Sequence, residues 1–181
     1  MIYGIRGVSS DVRALADRFA DGGHIALAPD LLTRGGRIVC VVRAIEPLFS
    51  GSGPAIDTIG AARDYLMADE RCAGKIAVAG SSFGGSLALV VAPSGQLDAA
   101  ASQYGIVLKD PGMLEKSCPV VAGFGARGGI VKAGSAAVLD DALTSHDVPH
   151  DIEVYPDVGH AYMNSGPVPD WISRPLRMAY S

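Results

Sequence analysis

The stretch that decides the fold of this chain runs from Ile76 to Gly84 and reads IAVAGSSFG. Its first four residues are apolar without polar alternation, which is typical of a strand buried on both faces of a parallel sheet. A glycine- and serine-rich turn follows and leads straight into residues 84–92, an apolar segment that reads as a helix. A strand, a tight turn and a helix in direct succession indicate an α/β architecture.

The same alternation continues on both sides of this stretch. Apolar residues at helical spacing predict an amphipathic helix around Val12–Phe19, and Pro54 opens a second helix. Residues 31–53, which contain two glycine clusters, are predicted to form a long loop. Further strands are predicted at 25–28, 99–104, 120–124 and 152–155, with a helix at 133–146 before the last. We therefore predict one α/β domain over residues 1–181, with a mainly parallel sheet and helices on both faces.

Composition argues against several classes of function. The 181 residues carry a formal net charge of −4 with scattered Lys and Arg, so neither nucleic acid nor a membrane is the expected partner. No apolar run is long enough to span a bilayer, and the first residues do not resemble a secretory signal. Cys40, Cys72 and Cys118 form no CxxC pair, so no zinc or redox motif is expected. Free thiols fit a cytoplasmic protein, which we expect to be a monomer or homodimer.

The turn at residues 80–84 matches the pattern G-x-S-x-G. A chain so rich in glycine and serine can contain this pattern by chance, and a turn without chemistry is the alternative interpretation. Its position between a buried strand and a helix is the setting of a nucleophile elbow, which raises a serine hydroxyl above the sheet edge. Side chains at Gly80 and Gly84 would collide with the neighbouring strand and helix. The pattern therefore predicts Ser82 as a nucleophile, with the amides of the following helix directed at a developing oxyanion.

A serine hydroxyl needs a base to accept its proton. His160 follows the last predicted strand, so it is expected at the same sheet edge as Ser82. The other histidines fit less well: His24 begins a strand at the opposite edge, and His146 and His150 flank a helix end, where cations are favoured anyway. An ordinary loop histidine is the alternative interpretation of His160.

Around these residues the sequence resembles the dienelactone hydrolase family of the α/β-hydrolases. The resemblance spans nearly the whole chain and rests on an ordered set of segments: ADRFA at 16–20, ALAPDL at 26–31, RGG at 34–36, GSSFGG at 80–85, VPHD at 148–151 and YPDVGHAY at 155–162. It implies an α/β-hydrolase fold that acts on small esters or lactones without metal or cofactor. It also implies Ser82 as nucleophile, where founding members carry cysteine, His160 as base, and the amides of Phe83 and Ile2 as the oxyanion hole.

The acid of the family's catalytic triad is the first departure. Its position falls on Gly128, which can neither orient nor stabilise a histidine. Loss of the acid from a triad costs roughly 10⁴-fold in kcat. Asp110, which follows an earlier strand, is one possible substitute, whereas Asp157 is near His160 in sequence but is expected to point away.

Three further departures concern the start of the chain and the substrate. Family members begin with additional strands, the last of which lies beside the nucleophile strand, so we expect these N-terminal strands to be missing here. Ile2 follows that strand and is therefore the less secure oxyanion donor. Asn164 stands where founding members hold the substrate carboxylate with arginine, so dienelactone itself is not the expected substrate. Three arginines of the long loop could line the site or lie at the surface: Arg34, Arg37 and Arg43.

Two functions follow from the sequence. The first is a serine hydrolase of small esters or lactones that uses Ser82 and His160. The second is a catalytically impaired family member that binds a small ligand or serves in assembly, which Gly128 and the missing strands favour. A carboxylate within hydrogen-bond reach of His160 would support the first, and an empty pocket around Gly128 would support the second. No phosphate-binding glycine loop follows the first predicted strand, which argues against a nucleotide-binding protein.

Overall fold

The computed structural model describes residues 1–3, 7–31, 47–107, 110–127 and 134–164. Within them, helices and strands alternate along the chain, as the sequence predicts. In chain order they are α1 (Ser10–Asp21), α2 (Pro47–Ser50), α3 (Pro54–Met67), β1 (Ala77–Ser81), α4 (Phe83–Val91), β2 (Ala99–Gln103), β3 (Val120–Gly125), α5 (Ser135–Ser145) and β4 (His150–Tyr155). Two short 3₁₀ turns lie at Ala92–Ser94 and Pro111–Leu114.

The four strands form one parallel sheet in the order β1-β2-β3-β4. Ile2 adds an isolated parallel bridge to Gly80. Its amide donates to the Ala79 carbonyl at 2.7 Å, and its carbonyl accepts from the Ser81 amide at 3.3 Å. Because all strands run the same way, the residues that follow β1, β2 and β4 meet at one edge of the sheet.

Helices cover both faces of this sheet. On one face, all nine residues of α4 are buried, as expected for a helix that is apolar all round. Five leucines of the hydrophobic core are fully buried: Leu87, Leu89, Leu114, Leu139 and Leu143. Side chains alternate between the faces of a strand, so Ser81 points the other way from Gly80 and lies with α1. The predicted α/β fold with helices on both faces is confirmed.

The first helix begins and ends at capping residues. Ser9 caps α1, and its hydroxyl accepts from the Val12 amide at 3.4 Å, while Gly22 follows the last turn. Residues 25–28, in contrast, form no strand, so that prediction is wrong. The Met1 amino group donates a hydrogen bond to the Leu27 carbonyl at 2.5 Å. A single hydrogen bond does not form the repeated ladder of a paired strand.

Much of the predicted long loop lies outside the described residues, together with Cys40 and the loop arginines Arg34, Arg37 and Arg43. The part that is described contains the short helix α2. Across the described ranges, no helix has the length and apolar character needed to cross a membrane.

Gly84 is packed so tightly that a methyl group should destabilise the fold. A Cβ there would lie 2.2 Å from the Ile2 carbonyl oxygen, and backbone atoms cannot give way cheaply. We expect Gly84→Ala to lower the free energy of unfolding by about 1–3 kcal/mol or more, measured by urea denaturation.

Gly60 provides the matched control, because it lies inside α3 and a methyl group added to it would have no neighbouring atom within 4 Å. Gly60→Ala should raise the free energy of unfolding by up to about 1 kcal/mol, since alanine favours a helix interior. Equal stability of Gly84→Ala and the wild type would contradict the packing of residues 1–3 on this turn.

Candidate active site

The turn after β1 has the strained geometry of a nucleophile elbow. Ser82 adopts φ 54° and ψ −122°, a conformation that residues with a side chain rarely occupy. The turn is tight enough that a Cβ on Gly80 would lie 2.0 Å from the Gly84 carbonyl oxygen. The Ser82 amide donates to the Gln103 carbonyl at 2.9 Å, which ties the elbow to the end of β2. Strain held by such surroundings is a feature of functional sites.

Ser82 and His160 come together at the carboxyl edge of the sheet. The Ser82 hydroxyl oxygen lies 3.3 Å from Nε2 of His160, although the two residues are 78 positions apart in sequence. Ser82 occupies the cap position of α4, but its hydroxyl makes no cap hydrogen bond and remains directed at the imidazole. For Nε2 to accept from this hydroxyl, the imidazole proton must be on Nδ1.

The far side of the imidazole is buried and has no polar partner in the described part of the chain. Among the described residues, no group accepts a hydrogen bond from Nδ1 of His160. Burial lowers the pKa of His160 from its ordinary value of 6.5 to about 4. The side chain is therefore neutral at pH 7, as a general base must be, but its positive form is poorly stabilised.

A row of packed tyrosines begins at His160, and it was not predicted from the sequence. The ring of Tyr104 packs edge-to-face on the imidazole with centroids 5.1 Å apart. Tyr162 packs on Tyr104 at 5.0 Å, and Tyr155 packs on Tyr162 at 5.2 Å. Tyr104 directly follows β2 and Tyr155 ends β4, so their position at strand ends was a signal that could have placed them at this edge.

Comparison with known proteins shows the family of the chain. A sequence model of the dienelactone hydrolase family matches residues 1–173. The chain belongs to the dienelactone hydrolase family. A protein of Salmonella typhimurium assigned as a carboxymethylenebutenolidase is 25% identical over 179 residues, which cover 90% of this chain. The chain spans 66% of the length of that relative.

Solved structures of this family and of other hydrolases share the fold. A Klebsiella pneumoniae protein assigned as a dienelactone hydrolase superimposes with a TM-score of 0.75 at 20% identity. The superposition covers 99% of this chain and 82% of the Klebsiella chain. A dienelactone hydrolase-like promiscuous phosphotriesterase from metagenomic libraries superimposes with a TM-score of 0.76 at 21% identity. The superposition covers 99% of this chain and 81% of the phosphotriesterase chain. The chain thus shares the α/β-hydrolase type of fold with these proteins.

Within this family, the triad acid is the group to look for beside His160. Gly128, its predicted position, lies outside the described residues. Asp110 does not bind His160, because Nδ1 of His160 has no hydrogen-bond partner among the described residues. The Asp110 carboxylate accepts instead from the Gly112 amide at 2.9 Å and caps the turn at Pro111–Leu114. An aspartate before a Pro-Gly turn binds its own backbone in this way. Asp157 pairs with Arg127 at 2.6 Å in an exposed position, so it does point away from His160.

One of the two predicted oxyanion donors, the Phe83 amide, is available. The Phe83 amide lies in the first turn of α4, where helix geometry leaves N–H groups without intrahelical acceptors. The Ile2 amide, in contrast, already donates to the Ala79 carbonyl, so it is not free to bind an oxyanion. The prediction for Ile2 is corrected for this reason: the parallel bridge to β1 uses the donor.

A cavity of roughly 170 Å³ lies behind this edge, between α1 and the sheet. Ser81, Tyr104 and Asn164 contribute polar groups to it, and Val12 and Leu15 contribute apolar ones. Asn164, the counterpart of a substrate-binding arginine in founding members, thus lies near the site but supplies no positive charge. Neither Ser82 nor His160 lines this cavity, so the cavity lies beside these two residues and does not contain them.

The remaining histidines have structural surroundings, as expected from the sequence. His24 packs against the Phe19 ring, and His146 ends α5. His150 is engaged by the Val148 carbonyl at 2.7 Å and by Asp140 at 3.2 Å. In the part of the chain that the structure describes, no group of three or more His, Cys, Asp or Glu side chains could hold a metal ion.

Proposed function

We propose that this chain hydrolyses small carboxylic esters or lactones, with Ser82 as nucleophile and His160 as general base. The observation that carries the proposal is the 3.3 Å contact between the Ser82 hydroxyl and Nε2 of His160, on a strained turn at the head of a buried helix. Membership of the dienelactone hydrolase family and the name of the Salmonella relative support the same class of substrate.

The reaction follows from these positions. The Ser82 oxygen attacks the substrate carbonyl while its proton passes to Nε2 of His160. The negative oxygen that forms accepts a hydrogen bond from the Phe83 amide at the head of α4. The intermediate collapses, and the leaving alkoxide takes the proton from His160, which leaves an acyl group on Ser82. Water then attacks this acyl group while His160 again accepts the proton. As the second intermediate collapses, His160 returns that proton to the Ser82 oxygen and the carboxylic acid is released.

The burial of His160 predicts slow turnover. Each half of the reaction passes through a positively charged imidazole, which burial disfavours and no described carboxylate compensates. Removal of the acid from a serine triad lowers kcat by roughly 10⁴-fold. We therefore expect measurable but weak hydrolysis.

The pH profile should show the unusual base directly. His160 acts in its neutral form, and its pKa is lowered to about 4 by burial. The rate constant kcat/KM should therefore stay level as pH falls from 7 to 5 and be halved near pH 4, because it reports the free enzyme. Circular dichroism over the same range would separate loss of fold from protonation. A midpoint near 6.5 would contradict the buried, unpartnered imidazole.

A direct test of the proposal measures acid release from a panel of short nitrophenyl esters and small lactones. Wild type and Ser82→Ala, purified identically, should differ, because only the first has the nucleophile. Equal release by the two proteins, both shown to be folded, would overturn the proposal.

One observation favours the second candidate, an impaired family member that binds a small ligand. Nδ1 of His160 has no hydrogen-bond partner among the described residues, as expected if the acid is lost. The surroundings of Gly128 lie outside the described residues. This candidate expects a small ester to bind without turnover, so saturable binding with no acid release would support it.

A further inference from the structure

The hydrogen bonds of His160 leave its ring orientation underdetermined. Its polar contact is to Ser82 through Nε2, and Nδ1 is buried without a partner in the described part of the chain. A ring that is held at one nitrogen can turn about the Cβ–Cγ bond and move Nε2 away from the hydroxyl. In a complete triad the acid prevents this rotation by binding Nδ1–H.

Tyr104 makes the contact that can replace this restraint. Its ring lies edge-to-face against the imidazole, with centroids 5.1 Å apart and planes at 67°. Aromatic pairs in this arrangement are favourable by about 0.5–1.5 kcal/mol beyond their burial. The contact is also directional, because rotation of the imidazole would break the edge-to-face geometry.

Tyr104 is itself held firmly. The residue is 1% exposed and adopts φ 42°, which is rare for an aromatic residue and indicates that its surroundings fix it. Its amide donates to the Gly123 carbonyl at 2.7 Å. The Tyr104 ring also packs against the ring of Tyr162, with centroids 5.0 Å apart, and the Tyr162 hydroxyl donates to Oε1 of Gln103. Gly123 leaves the space for this bond, since a Cβ there would lie 2.3 Å from Oε1 of Gln103.

We propose that Tyr104 is the positioning residue for His160: its ring, supported by Tyr162, keeps the imidazole aimed at Ser82. The inference rests on the proposed hydrolase function, but it concerns a residue outside the nucleophile, base and oxyanion donor. The ring carries the effect and the hydroxyl does not, since Oη of Tyr104 is buried without a hydrogen bond of normal geometry to a described residue.

The test compares Tyr104→Leu, which removes the ring, with Tyr104→Phe, which keeps it. Misplacement of a reacting group by about 1 Å can cost roughly 10²-fold, so Tyr104→Leu should lower kcat by about 10- to 100-fold with little change in KM. Tyr104→Phe should retain kcat. Tyr65→Leu is the matched control, because Tyr65 is 70% exposed on α3 and contacts neither His160 nor Ser82.

Two further measurements keep the test decisive. The Cε1–H resonance of His160, assigned by its absence in His160→Gln, should shift in Tyr104→Leu and not in Tyr65→Leu, because the ring current of Tyr104 is lost. If Tyr104→Leu does not fold, Tyr162→Leu takes its place; it removes the support behind Tyr104 and should lower kcat by about 2- to 10-fold, the lower range expected of one aromatic contact.

The outcomes separate this inference from the proposed function. An active wild type whose kcat is unchanged in Tyr104→Leu, or equally reduced in Tyr104→Phe, would overturn the positioning role and leave the hydrolase function standing. A folded wild type without activity would refute the function. In that case the resonance decides the inference: a shift in Tyr104→Leu supports it, and an unchanged resonance overturns it.

Discussion

Replacing Gly128 with aspartate should raise kcat/KM for small esters by at least tenfold and by up to roughly 10⁴-fold, the amount that a triad loses with its acid. The family resemblance places the acid at this position, and Nδ1 of His160 is buried without a partner among the described residues. A carboxylate there would accept the Nδ1 proton and stabilise the imidazolium. It should also raise the pKa of His160 from about 4, because a negative neighbour favours the charged form.

Gly128→Asn is the matched control for this result. Asparagine has nearly the size of aspartate but no charge, and asparagine in place of the acid leaves a triad about 10⁴-fold impaired. We expect its kcat/KM and its pH midpoint to stay near those of the wild type. An aspartate variant that is folded and no faster than the wild type would show that position 128 is not where the acid was lost.

Ser82→Ala should bring hydrolysis down to the residual rate that substrate binding and the oxyanion donor alone supply. In a serine protease, removal of the nucleophile costs roughly 10⁶-fold and removal of the acid alone roughly 10⁴-fold, and the losses are not additive. On the proposed account the wild type lacks the acid, so Ser82→Ala should cost it only about 10²-fold. In the Gly128→Asp background the same substitution should cost up to about 10⁶-fold.

This difference between the two backgrounds can be measured as a double-mutant cycle from kcat/KM values. The cycle tests whether Ser82, His160 and position 128 work as one unit. Equal losses in both backgrounds would mean that aspartate at position 128 does not act through the serine and histidine pair.

The fold could be predicted from the sequence because its signals are local. The apolar strands, the caps at Ser9 and Gly22, and the G-x-S-x-G turn each report on neighbouring residues. The predicted strand at 25–28 failed for the opposite reason. An apolar run becomes a strand only if a partner pairs with it, and pairing depends on distant parts of the chain.

For the candidate site, the sequence predicts that Ser82 and His160 lie at one sheet edge, but it does not predict the groups that surround them. Ser82 and His160 follow parallel strands, so topology alone places them at one edge. Whether a given backbone amide is free to bind an oxyanion depends on its own hydrogen bonds, which is why the expectation for Ile2 failed. The packing of Tyr104 on His160 required the three-dimensional positions of two strand ends.

The central claim is that Ser82 is activated by His160, and covalent labelling tests it most directly. Purified wild type would be incubated with a fluorophosphonate probe, digested, and analysed by mass spectrometry for the modified residue. The account predicts one adduct, on Ser82, whose rate of formation falls in His160→Gln. Absence of an adduct on folded protein, or an adduct on another residue, would contradict it.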